Sequence, residues 1–199
     1  TNISTDDVAV AQELGYVIKL VGDVREVESG ISAEVSPTFL PKNHPLASVN
    51  DVMNAVFVES IGIGESMYYG PGAGQKPTAT SVLADIIRIA RRLSDGNVGK
   101  PFNEFRRDLP LANPADVKSN YYFALDTPDE KGKILHLSEI FNSEDISFEQ
   151  VLQQKANGTT ARIVVITHAM SKTQLKAVTE KLEAAEDFTV VNTLKVLSN

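Results

Sequence analysis

From Ser119 onward, apolar runs and helical periods follow one another in the order strand, helix, strand, strand, helix, strand, and few folds accept that order. The first run, Tyr121 to Leu125, ends in the polar turn Asp126 to Lys131 and Gly132, after which Ile134, Leu137, Ile140 and Phe141 recur at helical spacing. Ile146 to Gln153 and Ala161 to Thr167 read as two strands, with Asn157-Gly158 between them as a strong hairpin turn. Ser171 and Gln174, three apart, form a capping box, and Leu175, Val178, Leu182 and Ala185 make the buried face of the helix it starts. Phe188 to Val196 is the last strand. The pattern predicts a ferredoxin-like βαββαβ domain, an antiparallel sheet with both helices on one face.

The residues ahead of it read differently. Thr5-Asp6-Asp7 offers an N-cap and an acidic first turn to a short helix carrying Val8, Ala11 and Leu14, which Gly15 closes. Tyr16 to Val21 and Ile31 to Leu40 are predicted strands of one sheet; Ala55 to Glu59 and Glu65 to Tyr69 are two more, joined through Ile61-Gly62-Ile63-Gly64. Gly70-Pro71-Gly72-Ala73-Gly74 then opens a helix with Pro77 in its first turn, running to about Leu93. Its stripe of Val82, Leu83, Ile86, Ile87, Ile89, Ala90 and Leu93 calls for a sheet to pack on, while Arg88, Arg91 and Arg92 complement the carboxyl end of its dipole. Residues 96–118 mix Gly, Pro and Asn without period, as a linker does. The expected organisation is α+β throughout: 1–95, linker 96–118, and 119–199.

Composition narrows the chemistry. With 26 acidic against 19 basic residues the net charge is −7, which argues against a nucleic-acid backbone or an anionic membrane as partner and leaves small molecules and protein surfaces. There is no cysteine, so disulfides, thiolate zinc sites, iron–sulfur clusters and cysteine nucleophiles are excluded. His44, His136 and His168 share no metal-ligand spacing, and no G-x-S-x-G, Walker A or H-E-x-x-H motif occurs, so no metal site is expected. The apolar runs are too short to span a bilayer, and the opening TNISTDDVAVAQ shows no targeting peptide, so the expectation is a cytoplasmic chain that is a piece of, or processed from, a longer one.

Two glycine sites stand out. Bare amides at the helix start after Gly70 to Gly74 suit a phosphate, and the same loop read as a tight turn lets the helix pack closely. Gly132 lets a ligand approach the backbone, or is a plain turn glycine. Residue chemistry alone leaves both pairs of readings open.

The chain resembles the homoserine dehydrogenase family. The resemblance is carried by Leu14-Gly15-Tyr16-Val17-Ile18-Lys19-Leu20 with Gly22, Glu34-Val35-Ser36-Pro37, His44-Pro45-Leu46-Ala47, Asn54-Ala55-Val56, and above all GESMYYGPGAGQKPTATSVLADI from Gly64 to Ile86. Residues 119–197 look like an ACT module in Asn120-Tyr121-Tyr122-Phe123, Gly132, Ile134-Leu135, Ile140-Phe141 and Ile163 to His168.

The resemblance implies the end of a catalytic and dimerisation domain followed by an ACT regulatory domain. The parent enzyme would reduce L-aspartate 4-semialdehyde to L-homoserine with NADPH or NADH, on the way to threonine and methionine. Carried over by position, Gly74 and Gly72 would contact the cofactor (NADP or NAD). The backbone at Gly132, Lys133 and Ile134 would hold an amino-acid effector, threonine being the natural one. Lys131-Gly132 departs from the family's usual Pro-Gly at that turn. No catalytic residue is assigned: the family's lysine and its Rossmann half are expected upstream, Lys19 is not that lysine, and this chain alone is expected to be inactive. A homodimer or higher homo-oligomer is implied. The competing reading is a non-catalytic amino-acid-binding and dimerisation module.

Overall fold

The computed structural model describes residues 3–97, 108–155 and 159–197. The chain forms two compact units, Thr1–Lys42 with Leu109–Asn199, and Asn43–Asp108.

The first unit opens with α1 (Thr5–Glu13), β1 (Tyr16–Val27) and β2 (Gly30–Pro41). The cap of α1 is Ser4, one residue ahead of the expected Thr5. Its hydroxyl accepts from the Asp7 N–H, and the Asp7 carboxylate accepts from the Ser4 N–H. A capping box needs a polar partner three residues on; Ser4 has Asp7 there, whereas Thr5 has Val8. The strands β1 and β2 pair antiparallel from Tyr16↔Pro41 to Val27↔Gly30, longer than the sequence signalled.

The rest of this unit is β5 (Lys118–Pro128), α3 (Lys133–Asn142), β6 (Phe148–Lys155), β7 (Thr160–Thr167), β8 (Met170–Ser171), α4 (Lys172–Ala184) and β9 (Thr189–Val196). The expected Asn157-Gly158 turn lies outside the described residues. The strand order is β1-β2-β9-β5-β7-β6, with the two-residue β8 against the start of β5. All these pairings are antiparallel except β2 with β9, which is parallel and only two residue pairs long, Thr38↔Lys195 and Phe39↔Val196.

Both faces of the sheet are covered at β5 and β7. On one, Tyr121, Phe123, Leu125, Ile163 and Val165 pack under Leu137 and Phe141 of α3 and Val178 and Leu182 of α4. On the other, Tyr122, Ala124, Val164, Ile166, Leu194 and Phe39 pack under Val10 and Ala11 of α1. Strand side chains alternate in direction, so a strand covered on both faces must be apolar at every position, which is why YYFAL and IVVI are unbroken runs. Full burial of a side chain such as Phe123, Leu137 or Ile163 contributes about 2 kcal/mol. The expectation of helices on one face holds for α3 and α4; α1 is the addition. A polar network ties it down. Buried Asp7 accepts from the Tyr122 hydroxyl at 3.0 Å and from the Asn192 amide at 2.9 Å.

The observed division differs from the expected boundaries at 95 and 119. Residues 1–42 join 109–199 because β2 pairs with β9 and α1 covers β5. Within the expected linker, residues 110–112 run beside the start of β2. The Ile31 N–H donates to Pro110 O, and the Ala112 N–H to Ile31 O, both at 2.9 Å.

In the second unit, a 3-10 turn (Pro45–Ser48) precedes β3 (Met53–Ser60) and β4 (Gly64–Pro71), an antiparallel hairpin, and then α2 (Gln75–Ser94). The helix starts two residues before Pro77. The expectation that it packs on a sheet is not met: none of its residues is buried, and Val82, Leu83, Ile86, Ile87, Ile89 and Leu93 are all about half exposed. A two-stranded hairpin has too little surface to cover a 20-residue stripe.

Candidate functional site

The glycine loop of the second unit ends in Gly74, the N-cap of α2, at φ 123°, a conformation that L side chains rarely adopt. No side chain caps the helix, so its first amides are open to a ligand, with the positive end of a five-turn dipole behind them. Gly72 is closely packed. A Cβ there would lie 1.6 Å from the Asn54 amide nitrogen, and the Gly72 N–H donates to Val52 O at 3.1 Å. Its bareness therefore admits the Asn54 side chain.

In the first unit, Gly132, Lys133 and Ile134 come together at one cavity of about 310 Å³. Its walls are the end of β5 at Thr127 and Pro128, the turn Glu130–Lys131, the first turn of α3 from Gly132 to Leu135, and Gln153 on β6. Gly132 is the N-cap of α3 in the left-handed conformation (φ 91°, ψ −10°), again with no side-chain cap. The Lys133 ammonium is taken up by Asp187 at 2.6 Å and Glu130 at 3.4 Å. Hydrogen bonds from Lys133 and then His136 hold the Asp187 carboxyl below its usual pKa. What lines the cavity here is thus the backbone of α3's first turn, with Ile134 and Leu135 exposed beside it.

Sequence reasoning missed Thr127, Glu130, Gln153 and Asp187. Alternation along β5 gives a signal for the first: Thr127 continues the 121, 123, 125 face that looks toward the helices.

A second cavity, about 370 Å³, lies where β2 meets β5, β9 and α4. Lys195, with only 5% of its side chain exposed, bridges Asp23 and Glu34, and Lys172 reaches Glu34 at 2.6 Å. The Arg25 guanidinium holds Asp23 at 2.7 Å and donates to Lys118 O. Burial opposes ionisation of Glu34 and Asp23, yet the hydrogen bonds from Lys172 and Lys195 to the first, and from Arg25 and Lys195 to the second, bring both pKa values below normal.

The remaining histidines are accounted for structurally. His44 Nδ1 accepts from the Leu46 N–H at 3.1 Å, and His168 is exposed. Among the described residues no cluster of His, Asp and Glu could hold a metal ion, and no helix is long and apolar enough to cross a membrane.

Comparison with known proteins gives these sites a context. Residues 1–87 match the family model of homoserine dehydrogenase. Over 197 residues, 99% of its length, the chain is 60% identical to homoserine dehydrogenase of Lactococcus lactis. Along nearly its whole length the chain is similar to part of a homoserine dehydrogenase. The homoserine dehydrogenase of Corynebacterium glutamicum is 36% identical over 98% of the chain. The crystal structure of a homoserine dehydrogenase from Thiobacillus denitrificans superposes with a TM-score of 0.88 at 31% identity, over 98% of this chain and 46% of that one. The chain spans under half the length of the homoserine dehydrogenases it matches, 46% of the Lactococcus protein and 44% of the Corynebacterium protein.

Proposed function

We propose that this chain is the carboxyl-terminal part of an NAD(P)-dependent homoserine dehydrogenase, a cytoplasmic oxidoreductase that reduces L-aspartate 4-semialdehyde to L-homoserine in the synthesis of threonine and methionine. The observation that carries the reading is 60% identity to a homoserine dehydrogenase along 99% of the chain, with the glycine loop inside the matched region. When bound, the dinucleotide supplies the hydride. This chain's contribution is to hold phosphate oxygens on the open amides of α2, with Gly74 allowing close approach and Gly72 keeping the loop closed over Asn54. No residue of this chain is assigned a part in hydride or proton transfer.

Residues 119–199 are read as an ACT module that senses an amino acid, threonine foremost. Support comes from the strand order β9-β5-β7-β6 with α3 and α4 on one face, and from the cavity at the uncapped start of α3. The effector's carboxylate is taken by the amides of Lys133 to Leu135, because the Lys133 ammonium is already neutralised. Its ammonium group meets Glu130 at the rim. The exposed apolar face of the β1–β2 hairpin, with Leu20, Val24 and Val35 each at least 72% exposed, is the surface proposed for a homodimer.

The test is NADPH oxidation by the parent protein with L-aspartate 4-semialdehyde, with and without L-threonine, beside calorimetry of the 199-residue chain with L-threonine. Expected are turnover by the parent that threonine depresses, no turnover by the 199-residue chain, and saturable threonine binding to it. Turnover by the 199-residue chain alone would overturn the assignment of catalysis to residues outside it.

A further inference from the structure

Among the described residues, one buried side-chain polar atom has no hydrogen-bond partner, the hydroxyl oxygen of Thr127. A buried hydroxyl without a partner is costly, and native structures keep such groups where something else completes them. Thr127 is 2% exposed and lines the cavity at the start of α3. Its register partner on β7 is Ala161, and Ile163, two residues on, pairs with both Leu125 and Gln153. Strand alternation therefore puts Thr127 and Gln153 on the sheet face turned toward α3, so the floor of the cavity holds one hydroxyl and one carboxamide, both uncharged. The charged groups, Glu130, Lys131 and Lys133, belong to the turn and helix start above it.

Resting on the effector reading given above, we infer that Thr127 is a specificity-determining residue, its hydroxyl pairing with an uncharged polar group on the side chain of a small amino acid. The ligand's two charged ends have partners at the rim, the α3 amides for the carboxylate and Glu130 for the ammonium. What reaches the floor is the side chain. An aliphatic side chain leaves the Thr127 hydroxyl unpaired, and a charged one meets no counter-charge beside it. A hydroxyl both donates to and accepts from that group, and a cavity of about 310 Å³ takes a side chain of two or three heavy atoms with its backbone ends.

L-threonine and L-valine test this cleanly, because they have the same shape and differ by a hydroxyl in place of a methyl. Calorimetric titration of the 199-residue chain is expected to give threonine binding roughly tenfold or more tighter than valine. Thr127→Val, close to isosteric, removes the hydroxyl and is expected to bring the two ligands within about threefold, chiefly by weakening threonine, while Thr127→Ser restores the preference. An unchanged thermal midpoint in both variants shows that the fold is intact; if Thr127→Val fails to fold, Thr127→Ser and Gln153→Leu carry the comparison. Equal affinity for the two ligands in the unaltered chain, or a preference that survives Thr127→Val, overturns the inference and leaves the effector reading standing. No binding of any small amino acid at millimolar concentration overturns both.

Discussion

Asp23 and Glu34 stand directly opposite each other across the β1–β2 hairpin, two like charges in register, and Lys195 from β9 reaches both. Like charges in that relation destabilise a sheet unless a cation lies between them. The hairpin and β9 share only two residue pairs of backbone pairing, and this bridge, flanked by Arg25 and Lys172, adds to the packing of Phe39 with Tyr122 and Leu194 in fastening them.

Replacing Lys195 by Met is therefore expected to cost about 3 kcal/mol, the usual result of leaving buried charge without its partner. Urea unfolding measures it. Adding Glu34→Gln to the same chain should recover part of the loss, and an unchanged urea midpoint in Lys195→Met would show that the bridge contributes nothing.

Acid should weaken the first unit with a definite sign. Asp7, Asp23 and Glu34 all have folded pKa values below normal, each because hydrogen bonds outweigh the opposing effect of burial. The unfolded chain then binds protons more readily, so the stability these groups confer is complete above about pH 4 to 4.5 and is lost as pH falls through the lower folded values. Urea midpoints between pH 7 and pH 2 should stay level and then drop. The drop should be shallower in Lys195→Met, where two of the three carboxylates have lost their shared cation.

Gly30 is where a single methyl group should do most damage. It adopts φ 142°, and a Cβ there would sit 2.1 Å from the Pro110 carbonyl oxygen, a backbone atom that accepts from Ile31. Gly30→Ala is expected to cost about 2 kcal/mol or more and to free residues 109–112 from β2, seen as faster amide exchange at Ile31 and Ala112.

Much of this was legible from residues alone, for reasons of period and chemistry. The capping box at Ser171 and Gln174 is present as read, and the order of elements after Ser119 follows the alternation of apolar runs with helical spacing. In the sequence Gly74 ends a loop that opens a helix and Gly132 sits in the turn between a strand and a helix, and each is an uncapped N-cap with positive φ. What stayed hidden depends on strand register. Nothing local says that Asp23 faces Glu34, or that Lys195, 172 residues later, comes between them. The length of YYFAL hinted that both faces of β5 are covered, but only tertiary structure shows that α1 supplies the second cover.

His44 should stay neutral to a lower pH than an ordinary histidine. Burial lowers its pKa against the opposing charge of Glu65, and its Nδ1 must stay unprotonated to accept from the Leu46 N–H. An NMR titration is expected to show the Nε2–H tautomer and a midpoint under about 6.5. A midpoint above that value would contradict the hydrogen bond.

Gly72 and Asn54 should behave as a coupled pair. Gly72→Ala pushes a methyl group into the Asn54 side chain and is expected to cost roughly 1–3 kcal/mol, and Asn54→Gly in the same chain should return most of it. Additive losses in the double variant, read from thermal melts, would count against the close approach.

The position of β9 also sets the order in which the molecule can assemble. Of the nine strands among the described residues it is the last to leave the ribosome, yet it stands in the middle of the sheet, between β2 and β5. Until it arrives, the β1–β2 hairpin and the β5–β7–β6 sheet have no backbone pairing with each other, and Asp23 and Glu34 wait without Lys195. The nascent chain therefore carries two half-sheets with open edges, and their closure is a late, long-range event rather than a local one.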